Sequence, residues 1–243
     1  MAKLVNKRDW KQMKITRGAL ILVVLQLVVT IGYLVVGKPA QAWMQEWLVL
    51  TPTHLFHQGR VWTLVTSPLL ELQFVSLILT LLMLWMFVPT LERFWGTPRF
   101  YRFALITSVV GGLAGAAMGL ALGRDAQIFG YSPFIYASVV AFGILYAHQP
   151  VQFSFYIRMT GRQMMYGFIG FLVLFVTIQG LWEQGAAFAA AMLTAAVMTS
   201  KRWSPGLAWR RWRIARARAK LSVIEGGLKR KPAPKRDEQR WLN

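Results

Sequence analysis

The sequence lacks cysteine and contains only three histidines, which narrows the chemistry open to the protein. Without cysteine it can form neither a disulfide bond nor a thiolate metal site, and its redox compartment leaves no mark on the sequence. It also has no P-loop and no histidine pair of the kind that holds a metal. We therefore predict no metal, no nucleotide and no redox cofactor.

Acidic residues are scarce as well, with 9 Asp and Glu against 28 Lys and Arg. Hydrophobic residues make up 56% of the chain, and several apolar runs reach the roughly 17 to 25 residues that span a bilayer. The near absence of charge inside these runs argues against a pore or a transporter. We predict an all-α, polytopic membrane protein whose six spans cover residues 18–37, 71–91, 100–121, 131–147, 163–181 and 184–200.

Lys and Arg are unevenly distributed around these spans. If the N-terminus is cytoplasmic, all 28 basic residues except Lys38, Arg60 and Arg124 fall in cytoplasmic segments. The positive-inside rule therefore predicts that both termini are cytoplasmic, an N-in/C-in arrangement. The first apolar run is too long for a cleaved signal peptide, so we interpret it as a signal anchor.

Three parts follow along the chain: a basic cytoplasmic lead-in at 1–17, a membrane core at 18–200 and a basic cytoplasmic tail at 201–243. Within the core, residues 38–70 form a connection too long for a turn. This connection is rich in Trp and poor in charge, which is typical of segments in the membrane interface. We predict an outer interfacial loop there.

The third predicted span carries glycine at every fourth position, Gly111, Gly115, Gly119 and Gly123. Small residues at this spacing form one flat helix face, which lets a neighbouring backbone approach closely. The sixth span is similarly rich in small residues at 185–196. We interpret both as ordinary packing faces of a compact bundle.

Two segments, GRVWTLVTSPLLE (59–71), with Trp62, and LWMFVPTLERFWGTPRF (84–100), carry a resemblance to a known family. The first is similar to the outer loop, and the second to the end of the second span, of the rhomboid family of intramembrane serine proteases. In the second segment, Glu92, Arg93 and Gly96 match a Glu-Arg pair and a Gly at the family's cytoplasmic turn. GYSPFIYA (130–137) falls where the family has Gly-x-Ser-Gly, and Tyr136 matches a Tyr four residues after the Ser. The resemblance covers about 59–200 and implies that the six-span core has a rhomboid-like fold.

The same resemblance assigns the catalytic positions, and most of them carry the wrong residue. The nucleophile falls on Ser132, but the following Gly is Pro133, which has no backbone N–H to offer an oxyanion. The oxyanion-side His and Asn fall on Ser76 and Thr80. A further family His falls on Glu71. The loss of one oxyanion donor alone commonly lowers the rate about 10²- to 10³-fold.

The catalytic His of the family falls on Glu183 or Gln184, since the gapless alignment leaves one residue of ambiguity. A serine hydroxyl needs an adjacent base, and a carboxylate is about two pKa units less basic than His. His54 and His57 lie on the correct side of the membrane and are the remaining candidates for a base. We interpret Ser132 as a helix N-cap followed by Pro at the first helical position. A nucleophile and a partner contact remain the alternatives.

Glu183 also has two interpretations. It fits the short outer turn before the sixth span, where water would solvate it. Alternatively, Glu71 or Glu183 forms an ion pair with Arg60 or Arg124 at the outer mouth of the bundle, because polar groups near apolar spans are costly when unpaired.

The tail is strongly basic and interleaved with Trp. Juxtamembrane Lys and Arg gain roughly 1 kcal/mol each from anionic lipid, so we predict lipid attachment through this segment. Basic and aromatic residues also suit nucleic acid or a ribosome, a less favoured alternative without a supporting motif. The residues chosen for this contact are Trp209, Arg210, Arg211, Trp212 and Arg213.

Together these features predict a non-proteolytic rhomboid-like pseudoprotease that binds or scaffolds transmembrane segments of a client or of a larger membrane complex. The alternatives are an active rhomboid-type protease that uses Ser132 with a non-standard base, and a structural subunit of a membrane assembly. The size of the chain and its lack of organelle signals favour a bacterial inner membrane.

Overall fold

The computed structural model describes residues 16–152, 158–200, 209 and 212–216. It divides into two compact units, residues 1–202 and 203–243. The first unit is built of helices with the following bounds: α1 Arg17–Val35, α2 Lys38–Leu48, α3 Thr63–Thr66, α4 Phe74–Trp95, α5 Thr97–Ala121, α6 Ser132–Leu145, α7 Gly161–Gln179 and α8 Trp182–Thr199. A π-helical turn at Thr53–His57 and a 3₁₀ turn at Ser67–Leu69 lie between α2 and α4.

Turn chemistry explains where the long helices begin and end. Gly96, with φ +79°, separates α4 from α5 in a single residue, because glycine adopts this conformation without steric cost. Thr160 starts α7 with a capping box, in which its hydroxyl accepts from the N–H of Gln163 and its own N–H donates to the Gln163 side chain. Gly180 ends α7 in the left-handed conformation.

The all-α prediction is confirmed in its coarse form, since the protein is mostly helical and polytopic. One exception is a small antiparallel ribbon, β1 Pro150–Gln152 paired with β2 Arg158–Thr160, which joins α6 to α7. Among the described residues, four helices, α1, α4, α5 and α7, are long and apolar enough to cross a membrane. The count of six spans stays a prediction, because α8 is not among these four and α6 has only 14 residues, which would cover about 21 Å of a hydrocarbon core of about 30 Å.

The centre of the bundle is formed by α5, α6 and α8, which pack closely on one another. Most of α6 is buried, and large buried rings such as Phe100, Phe103 and Phe134 fill the space around it. The predicted small-residue faces meet here: a Cβ on Gly111 or Gly115 would touch the backbone of α8. By contrast, α1, α4 and α7 expose large apolar side chains, which is typical of helices that face lipid.

Residues 38–70, predicted as a loop, contain helix α2 and several helical turns. Helix α2 buries none of its residues, and its Trp47 stacks on Trp62 with ring centroids 5.9 Å apart. The guanidinium of Arg60 lies over the Trp47 ring and pairs with Glu46 at 3.2 Å. Tryptophan and arginine clustered at one end of a helical bundle are typical of a membrane interface.

Glu92, which the sequence analysis placed only in a Glu-Arg pair at a turn, is buried and accepts four hydrogen bonds. Its carboxylate accepts from the backbone N–H groups of Gly18 and Ala19 and from the hydroxyls of Thr16 and Thr97. It therefore ties the start of α1 to the α4–α5 turn. Its neighbour Arg93, in contrast, is exposed.

Candidate functional site

A cavity of about 730 Å³ lies in the first unit between α4 and α7. Both helices pack against α6, which forms the back wall. At one end Phe87 of α4 closes the gap through edge-on ring contacts with Phe168 of α7 and Phe142 of α6, with centroids 6.0 and 5.6 Å apart. Away from this aromatic contact, the space between α4 and α7 is left as a cleft.

The walls of the cavity are apolar over most of their length. Apolar lining residues come from four helices: Leu79 and Met83 of α4, Ile135 and Val139 of α6, Phe168, Phe171 and Phe175 of α7, and Ala187 and Phe188 of α8. Several of these side chains are also exposed at the bundle surface. The cavity is therefore continuous with an apolar face that a bilayer would cover.

The opposite end of the cavity is polar, and we call it the polar pole. Its lining residues are Glu71, Gln73, Ser76, Ser132, Gln179 and Gln184. They cluster because α4, α6 and α8 begin, and α7 ends, at this end of the bundle. All of them except Glu71 are neutral.

Glu71 is the most enclosed group of the polar pole, with 1% of its surface exposed. Its backbone N–H donates to the hydroxyl of Thr30 at 3.1 Å, and the Ser76 hydroxyl bonds to its carboxyl group. Its Oε2 atom has no hydrogen-bond partner among the described residues. Burial raises the pKa of Glu71 above its ordinary value, because the low-dielectric surroundings penalise the charged form.

Several of the positions that the resemblance singled out meet in this cavity. Ser76, Thr80, Ser132, Pro133 and Tyr136 all line it, and the Tyr136 ring packs on Phe188 with centroids 4.8 Å apart. Their meeting follows from position in the bundle: helix starts at the same end bring their first turns together.

Glu183 and Gln184, the two candidates for the position of the family's catalytic His, lie in different surroundings. Gln184 lines the cavity. Glu183 faces away and forms an ion pair with Arg124, with 3.6 Å between Oε1 and the guanidinium nitrogen. The prediction of a water-solvated Glu183 was wrong, since its side chain is almost fully buried in the first turn of α8. Of the alternative pairs, Glu183 with Arg124 is the one that forms.

The N-cap prediction for Ser132 was also wrong. The helix α6 begins at Ser132 itself, Tyr131 occupies the cap position, and no side-chain cap bond is formed there. Proline is tolerated one residue later because the first turn of a helix has no intrahelical acceptor for its N–H groups. Ser132 instead presents a half-buried hydroxyl to the cavity.

A general base of the expected kind is missing from the described lining of the cavity, which includes no histidine. The ring of His54 lies 3.1 Å from the carbonyl oxygen of Val49, and His57 is in the same π-helical turn. His148 follows the far end of α6. The arrangement suits binding of an elongated apolar molecule with one polar end.

The cavity also contains residues that the sequence analysis missed, chiefly Phe171 and Phe175 of α7 and Gln179 at its end. Phe168, Phe171 and Phe175 recur at helical spacing, which is the signal that could have found them. That signal is weak, because an apolar stripe on a membrane helix serves equally well as a lipid-facing surface.

The tail lies in the second unit, where Trp209 and residues 212–216 are described and helical. Trp209 and Trp212 have ring centroids 5.1 Å apart, and the Arg216 guanidinium lies 3.9 Å above the Trp212 ring. Both Trp side chains and Arg213 are exposed. Arg210 and Arg211, like most of 201–243 and of the lead-in 1–17, lie outside the described residues.

A family model described as "Eukaryotic integral membrane protein (DUF1751)" matches residues 19–203. No curated protein matches the chain. The identification as a member of the rhomboid family was therefore wrong, because the family that matches across the core is a different one. The expected bacterial inner membrane was wrong too, since the matching family is described as eukaryotic.

Proposed function

We propose that this chain, which belongs to the eukaryotic integral membrane protein family (DUF1751), is a non-catalytic membrane protein that binds a transmembrane segment of a partner in the cavity between α4 and α7. The observation that carries the proposal is the cleft itself: about 730 Å³ of apolar-walled space bounded by two helices of spanning length.

Helices in a bilayer associate by close packing and by hydrogen bonds, because lipid tails are as apolar as the side chains. The cavity supports both interactions. Its Phe171 and Phe175 offer large ring surfaces, and the polar pole offers amides and hydroxyls at one depth. A partner helix that lays one face along α4 and α7 would place its side chains in the cleft.

Two further features belong to the proposal. The distribution of basic residues supports placing both termini on the cytoplasmic side of six crossings. The exposed Trp209, Trp212 and Arg213 support attachment of the tail to anionic lipid, with nucleic acid as the weaker alternative.

Cross-linking from inside the cavity tests the binding of a partner segment. With benzoylphenylalanine in place of Phe175, we expect discrete protein adducts on illumination of membranes; with the same residue in place of the lipid-facing Leu193 of α8, we expect none. Leu79→Trp should reduce the Phe175 adducts several-fold by filling the cavity. Ile78→Trp is the matched control, because Ile78 is the neighbour of Leu79 on α4, is similarly exposed (50% against 55% for Leu79) and does not line the cavity.

Equal adducts from both photoreactive positions, or equal effects of the two Trp variants, would show that contacts at the cavity are no different from collisions in the membrane.

A serine-directed fluorophosphonate probe tests the absence of catalysis. We expect wild type and Ser132→Ala to show the same background labelling, because the described cavity provides Ser132 with no histidine and Pro133 offers no N–H. A serine hydrolase labelled in the same detergent is the control for probe reactivity. Labelling that disappears in Ser132→Ala would contradict the non-catalytic function.

A further inference from the structure

The polar pole holds a carboxyl group whose bonding is incomplete. Glu71 is almost entirely enclosed and lines the cavity, and its Oε2 lacks a partner among the described residues. Gly130 lies directly against this oxygen, so that a Cβ at position 130 would collide with it. Gly130 also has φ +75°, a conformation that glycine adopts without steric cost. The absence of a side chain at this position leaves room for the carboxyl group.

The two arginines predicted as its ion-pair partners do not supply its counter-charge. Arg60 is engaged by Glu46, and Arg124 is engaged by Glu183. The remaining polar lining residues of the pole, Gln73, Ser76, Ser132, Gln179 and Gln184, are neutral. The polar pole is therefore acidic whenever Glu71 ionises.

A buried carboxylate is costly unless a cation or several donors offset its loss of water. Burial accordingly raises the pKa of Glu71. A charge-assisted bond to an ammonium or guanidinium group would stabilise the ionised form, and such bonds are roughly twice as strong as neutral ones. Lysine and arginine near the end of a membrane span extend their charged ends toward the membrane interface. The polar pole lies at the same level, because α4, α6 and α8 begin there.

We propose that the cavity selects partner segments that carry a lysine or arginine near one end of the span, and that Glu71 receives this cation. This inference rests on the proposed function, because it assigns the chemistry of the segment that enters the same cavity. The apolar walls hold the body of the segment, and Glu71 sets which segment is preferred and in which orientation.

Binding of synthetic helices to the full chain tests this selection. The protein is placed in nanodiscs of phosphatidylcholine, a lipid whose headgroup has no primary amine. Fluorescent Leu-Ala helices of spanning length are then added, with one lysine moved through the four positions of the last turn at either end, or with leucine throughout. Energy transfer from a donor on the protein gives the affinity. We expect the best lysine helix to bind about tenfold more tightly than the all-leucine helix.

Glu71→Gln should remove this preference while the all-leucine helix still binds. Glu46→Gln is the matched control: it makes the same change in charge at an exposed ion pair and should leave the preference intact. Glu71→Lys paired with a glutamate-bearing helix should restore it.

The outcomes separate the two proposals. Helices that bind in a Leu79→Trp-sensitive way without preferring lysine, or with a preference that survives Glu71→Gln, overturn the role of Glu71 and leave the proposed function standing. No binding of any helix overturns both. If phosphatidylethanolamine added to the nanodiscs competes with the lysine helix and removes its preference, the cation comes from a lipid amine, and the selection of a protein segment is wrong.

Discussion

Replacing Glu92 by alanine is expected to lower the free energy of unfolding by about 3 to 5 kcal/mol, because two buried backbone N–H groups lose their acceptor at a cost of about 1 to 3 kcal/mol each. The carboxylate of Glu92 is buried at the end of α4. It accepts from the N–H groups of Gly18 at 2.9 Å and Ala19 at 2.8 Å, from the Thr97 hydroxyl at 2.8 Å and from the Thr16 hydroxyl.

The size of this effect follows from what the carboxylate replaces. The first N–H groups of α1 have no acceptor within their own helix, and Thr16, its N-cap residue, makes no side-chain cap bond. The negative charge of Glu92 lies at the positive end of the α1 dipole, which is an additional stabilising interaction. Truncation to alanine leaves these buried donors unsatisfied, each at a cost of about 1 to 3 kcal/mol, and frees α1 from the α4–α5 turn.

Equilibrium unfolding of the purified protein in mild detergent measures this change, with Glu46→Ala as the control. Glu46 also forms an ion pair, with Arg60, but more than half of the Glu46 side chain is exposed. Exposed ion pairs contribute about 0 to 1 kcal/mol, so Glu46→Ala should be nearly neutral. Glu92→Gln should lie between the two, because its amide keeps one acceptor oxygen. Similar losses for Glu92→Ala and Glu46→Ala would show that the network does not hold α1.

The contrast between Glu92 and the helix bounds shows which features the sequence could predict. The six apolar runs predicted as spans lie within a few residues of α1 and of α4 to α8, because long apolar runs are read directly from the sequence. The role of Glu92 was missed because its partners in α1 are more than 70 residues away along the chain. Nothing local to Glu92 distinguishes a buried acceptor from an exposed charge at a span end.

The cavity shows a different limit. Ser76, Thr80 and Ser132 line one cavity, although the family resemblance that grouped them was wrong. The alternation of spans is enough to bring their helix ends together. Whether an apolar residue such as Phe175 faces a partner, a cleft or lipid is set by how far apart α4 and α7 lie. That separation depends on packing against α6 and leaves no signal in the sequence of α7.

Gly115 lies at the contact between α5 and α8. Gly115→Val is expected to destabilise the bundle by about 3 kcal/mol, the upper end of the usual effect of overpacking. A Cβ there would lie 2.6 Å from Cδ1 of Ile128, and 3.0 Å from both the Ala187 Cβ and the Glu183 carbonyl oxygen. The Ile128 side chain can move, but the α8 backbone can yield only if α5 and α8 separate.

Gly170→Val is the matched control for this substitution, because a Cβ on Gly170 of α7 meets nothing within 4 Å. Unfolding in detergent should show a large loss for Gly115→Val and little change for Gly170→Val. The separation of α5 from α8 would also displace Ala187 and Gln184, which line the cavity, so binding of an apolar helix should weaken with Gly115→Val alone. If both valines are tolerated equally, the small-residue face of α5 does not set its distance from α8. If Gly115→Val destabilises the fold but leaves helix binding unchanged, the cavity does not depend on this contact.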